Sequence, residues 1–64
     1  MKNIELPQWA IDIAVEGLQD LARRLEADAA TFSNINTPEA QKLARERLEA
    51  ARDAWRAHEF FIHL

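Results

Sequence analysis

Ser33-Asn34-Ile35-Asn36-Thr37-Pro38-Glu39-Ala40 divides the chain and decides its fold. Thr37 is an N-capping hydroxyl, and Pro38 suits the first helical position, where a missing N–H costs nothing. Glu39 follows in the first turn, where its charge favours the helix dipole. The residues from Ser33 to Asn36 read as a short polar loop. A helix therefore starts at 38, and so short a loop forces the preceding helix to lie antiparallel to it.

Both arms carry the helical period. Upstream, Ile11, Ala14, Leu18, Leu21, Leu25 and Phe32 follow steps of three and four, interrupted by Asp28. Val15, Ala22 and Ala29 widen that stripe. Downstream, Ala40, Leu43, Ala44, Leu48, Ala51, Ala54, Trp55, Phe61 and Ile62 share a broad face, with Arg47 and His58 near its centre. Charges on the outer side of this second helix sit at i,i+3 and i,i+4, and Arg45–Glu49 and Arg56–Glu59 are the expected pairs. Pro7 fits the start of the first helix. The reading is a single all-α domain over residues 1–64, an antiparallel two-helix hairpin. Helix 1 spans about 7–30, the loop about 31–37 and helix 2 about 38–62.

Composition agrees. One glycine and two prolines are too few for a turn-rich β fold, and twelve alanines among Leu, Glu, Arg and Gln favour helix. With no cysteine there is no disulfide and no thiolate metal site. A chain of 64 residues without such staples buries too little surface to be secure alone. Its apolar faces are also wider than one neighbouring helix can cover. A homodimer, four helices packed at ~20° about a two-fold axis, is the economical solution.

The chain opens at Met1 without a tag and reads as a complete small protein. Its first seven residues lack the apolar core of a signal peptide, and no run approaches the ~20 apolar residues of a membrane span. No membrane role is expected, and the cytoplasm is the default location. The net charge of −3 runs against a default nucleic-acid role.

Several residues invite a sharper reading. His58-Glu59-Phe60-Phe61-Ile62-His63 resembles a zinc-protease motif but fails on spacing, since histidines five apart are rotated ~140° on a helix. No metal is expected there; His58 reads as a core-edge histidine hydrogen-bonded to helix 1 or a partner. Asp12, Glu16 and Asp20 form an acidic strip on a convex face, which offers no dry site for acid–base work but can steer a basic partner. Arg47 reads as snorkelling from the apolar face to water or to Glu26 or Asp28, or as a partner-specific contact. Leu6, Trp9 and Ile13 at the start of helix 1, with Phe60 and Phe61 at the end of helix 2, read as one aromatic-rich open end that either finishes the dimer core or docks a partner.

A single hairpin also offers no obvious pocket of ~300 Å³. The sequence thus points away from enzymes and cofactors. The leading expectation is a dimeric, non-enzymatic interaction module that regulates, adapts or inhibits a larger protein. The alternative is a nucleic-acid-binding dimer using the ridge of Lys42, Arg45, Arg52 and Arg56. Glu46, Glu49, Asp53 and Glu59 interleave with that ridge and weaken it.

Overall fold

A computed structural model describes residues 5–64. Residues 1–4, which open the segment read for a targeting signal, lie outside the described residues. Two helices, α1 (Gln8–Ser33) and α2 (Pro38–Ile62), pack against each other, and no strand occurs among the described residues.

Each junction of the hairpin has a local cause. Pro7 precedes α1 in an extended conformation, and its carbonyl accepts from the N–H groups of Ala10 and Ile11 at 3.0 and 3.2 Å. At α2 the Thr37 side chain accepts from the Ala40 N–H at 3.1 Å, with Pro38 immediately inside the helix. The loop between them is tighter than its polar composition suggests, because α1 continues to Ser33 rather than stopping near 30. The Thr31 hydroxyl donates to the Ala27 carbonyl at 3.1 Å and the Ser33 hydroxyl to the Ala30 carbonyl at 2.9 Å. Polar groups that elsewhere compete with a helix here bond back into it.

The end of α1 leaves carbonyls without intrahelical donors. No glycine is present to form a left-handed cap, and no described residue has positive φ. The Gln41 side-chain amide instead donates to the Ser33 and Ile35 carbonyls, both at 3.0 Å. This clasp ties the first turn of α2 to the last residue of α1.

The seam between the helices is built of alanine. The buried residues are Ala22, Ala29, Ala40, Ala44, Ala51 and Ala54, and among the described residues none larger than alanine is buried. Methyl groups let the helix axes approach closely, but each is worth only about 0.8 kcal/mol of burial. A fully buried Leu or Phe is worth about 1.5–3 kcal/mol. The result is one layer of helix, 48 × 23 × 13 Å, with a radius of gyration of 15.0 Å. A closed domain of this length has about 11 Å. The large side chains that could form a core surround the seam rather than fill it.

Candidate functional site

A two-helix layer has two broad faces and two outer edges. Because successive helical residues turn ~100°, distance along the sequence from the buried alanines assigns each side chain to one of them.

On the first broad face, α1 presents Ala14, Leu18, Leu21, Leu25 and Phe32. Opposite them α2 presents Leu43, Ala50, Ala54, Ala57 and Phe61. Most of these side chains are half-buried, while Leu21 and Leu43 are exposed. Asp28 and Arg47 are the charged residues within this otherwise apolar surface.

The second broad face is mixed, with Leu48 and Ile62 exposed beside polar and charged side chains. Trp55 Nε1 donates to Glu26 Oε1 at 3.3 Å across the helix pair, and the Trp55 ring stands edge-on to His58 with centroids 5.2 Å apart. Glu26, Leu48, Ala51, Arg52 and Trp55 line a hollow of about 240 Å³ here. Two expectations change. Glu26 is engaged by tryptophan rather than by Arg47, and the half-buried His58 meets an aromatic ring. Arg47 itself is exposed.

The outer edge of α1 carries Trp9, Ile13, Glu16 and Asp20 at steps of four, three and four. Asp12 lies beside this stripe, and all five are exposed. Trp9 is 67% exposed and Ile13 63%. The outer edge of α2 carries Lys42, Glu49 and Phe60, flanked by Arg45 and Arg56, with Arg52 turned toward the second broad face. Phe60 is 63% exposed and stands edge-on to the half-buried Phe61, centroids 5.4 Å apart.

The open end is therefore not one aromatic cluster. Trp9 and Ile13 lie on one edge and Phe60 on the other, with the width of the hairpin between them. Antiparallel packing brings the chain ends to the same level, but rotation about each helix turns Trp9 and Phe60 apart. What meets at this end is a hollow of about 320 Å³ lined by Glu5, Leu6, Ile11 and Leu64. Its volume exceeds the sequence expectation, yet it gathers three aliphatic side chains and a single carboxylate, without a nucleophile–base pair.

The basic ridge is not continuous. Arg56 Nη1 lies 3.9 Å from Asp53 Oδ1, the one ion pair among the described residues, so the expected pairs Arg45–Glu49 and Arg56–Glu59 do not form. Among the described residues no three His, Cys, Asp or Glu side chains gather where they could hold a metal ion. No helix there is long and apolar enough to cross a membrane. Gln41 and Trp55 are the structural contacts that sequence reasoning did not single out. Comparison with protein-family models, curated proteins and solved structures finds no match to this chain.

Proposed function

We propose that this chain is a small, non-enzymatic protein–protein interaction module. It works as a homodimer in which a second copy covers the first broad face, and it regulates, adapts or inhibits a larger protein. One observation carries this reading: among the described residues no side chain larger than alanine is buried, while Leu and Phe from both helices gather on one face. A contiguous, partly exposed apolar surface of this kind marks an interaction site more often than a free surface.

The dimensions favour a second copy as its cover. The outline of the hairpin, 48 × 23 Å, leaves room on one broad face for the ~800 Å² per partner of a standard stable interface. A two-fold axis lying in that face sets Leu and Phe of one hairpin against the alanines of the other, the large-into-small matching of a four-helix bundle. The nucleic-acid reading draws little support, because residues 38–64 hold five basic and five acidic side chains and Arg56 is engaged by Asp53.

Light scattering after size exclusion tests the dimer. The expected mass is twice the 7.4 kDa of the chain. A monomer at micromolar concentration overturns it.

A further inference from the structure

We propose that the outer edge of α1, running Trp9, Ile13, Glu16 and Asp20, docks a basic amphipathic helix of the partner protein. This rests on the interaction-module reading and names the surface and the chemistry of its partner.

The edge is left uncovered by everything else in the proposed assembly. It points away from α2, and it lies around the helix from the broad face that a second copy covers. Trp9 and Ile13 are nonetheless among the most exposed large apolar residues of the described chain. They sit one turn apart, so their side chains form a single apolar step about one turn long. Trp9 belongs to neither of the aromatic pairs, Trp55–His58 and Phe60–Phe61. Tryptophan in such a position is the residue type that most often anchors a protein contact.

Charge selects the partner. Residues 5–22 contain Glu5, Asp12, Glu16 and Asp20 and no lysine or arginine. Residues 23–64 contain seven basic and seven acidic side chains, which cancel. The negative charge of the described chain is thus concentrated on the half of α1 that bears Trp9 and Ile13. Glu16 and Asp20 continue their stripe, so the edge reads apolar for its first turns and acidic for the next, ~16 Å in all. A helix laid along it meets the apolar step with Leu or Phe and the acidic step with Lys or Arg one to two turns further on. Anionic lipid headgroups and nucleic-acid phosphates carry the wrong sign for this edge.

The probe is a fluorescein-labelled amphipathic peptide of Leu and Lys, about 18 residues long. A Leu/Glu peptide of the same pattern and a Lys/Ser peptide without an apolar face serve as controls. Anisotropy is read with the intact protein at about 50 mM salt. Saturable binding of the Leu/Lys peptide alone is expected, one peptide per chain. Trp9→Ala weakens it ~10-fold or more, whereas Leu48→Ala on the second broad face leaves it unchanged. Replacing Asp12, Glu16 and Asp20 together by Asn, Gln and Asn weakens it several-fold at low salt and flattens the loss seen toward about 300 mM.

Equal binding of the Leu/Glu peptide, or unchanged affinity in Trp9→Ala, overturns the proposal. So does capture of anionic vesicles through Trp9. Light scattering separates this from the parent reading. A wild-type dimer that becomes a monomer on Trp9→Ala places Trp9 in the dimer interface, which sinks the docking edge and leaves the module. A wild-type monomer sinks the dimer, whatever the peptide does.

Discussion

Leu21 and Leu48 are almost equally exposed, at 47% and 50%, yet the two broad faces that carry them differ. Leu48 lies in a hollow with Glu26, Arg52 and Trp55, where the Trp55 indole donates to Glu26 across the helix pair. Leu21 lies among Leu18, Leu25 and the alanines of α2. A single exposed leucine is ordinary on a protein surface, and a contiguous set of them is not. The contrast teaches that exposure alone does not identify an interface; the company a residue keeps does.

The largest expected effect comes from putting a charge on each face in turn. Leu21→Glu combined with Leu43→Glu places two carboxylates in the proposed dimer interface of each chain. Each buried, unpaired charge costs several kcal/mol, so dimer affinity should fall by more than about 100-fold. Leu48→Glu on the other face should leave the mass unchanged and alter stability by less than about 1 kcal/mol. Both variants begin with exposed leucines, so neither disturbs the alanine seam. Sedimentation equilibrium on the pair decides the matter: dimerisation that survives the double variant, or is lost with Leu48→Glu, reverses the assignment of the faces.

The next effect sharpens the same contrast without a mutation. If the apolar face is stable only when covered, unfolding and dissociation are one event, and the midpoint depends on concentration. A ten-fold dilution removes about 1.4 kcal/mol per dimer, which for a bundle of this size lowers Tm by about 4 °C. Circular dichroism melts across two decades of concentration read this directly. Superimposable curves mean that the hairpin stands alone and that its alanine seam suffices.

Much of this was legible in the sequence, for reasons that also explain what was not. Thr37-Pro38 announces a helix start by local chemistry, and the cap needs nothing beyond the three residues that follow it. The apolar period likewise predicts two packed helices. The extra turn of α1 was hidden, because Thr31 and Ser33 suit a loop equally well until their hydroxyls are seen to bond back. The Gln41 clasp was hidden because its acceptors are carbonyls whose positions depend on the path of the loop. Charge alone offers Glu26 only as one of several candidate partners for Arg47. The contact of Glu26 with Trp55, 29 positions away, depends on the axial register of the helices, which periodicity does not specify. The separation of Trp9 from Phe60 has the same kind of origin. Antiparallel packing fixes which residues share a level, and only azimuth decides which of them meet.

The loop end offers a middle-sized test. Thr37→Ala removes the hydroxyl that accepts from Ala40 and should lower stability by about 1 kcal/mol per chain. Gln41→Ala leaves the Ser33 carbonyl to water, while Ile35 keeps the Thr37 N–H as donor, and should lose a similar or smaller amount, since both carbonyls sit at the surface. Neither residue touches the broad apolar face, so dissociation constants should follow global stability rather than fall independently. A loss of dimer at unchanged helicity in either variant ties the loop to the interface and breaks the division between face and end.

The smallest effect concerns Gly17, in the interior of α1 between the outer edge and the apolar face. Glycine there destabilises a helix by roughly 0.5–1 kcal/mol relative to alanine, because its unfolded backbone has more freedom to lose. A Cβ built on Gly17 meets no atom within 4 Å, and its φ is negative, so alanine fits without strain. Gly17→Ala should therefore raise stability by that amount in a denaturant melt. Its sign in binding assays places the limit of the dimer interface. If the second copy stays on the broad face, the added methyl meets solvent and the dissociation constant is unchanged or slightly improved. If a neighbouring helix approaches the backbone at Gly17, the methyl forces the two apart, and affinity falls while the isolated helix gains. Gain in both quantities keeps the α1 edge outside the dimer; gain in one and loss in the other extends the dimer interface around α1 toward Ile13.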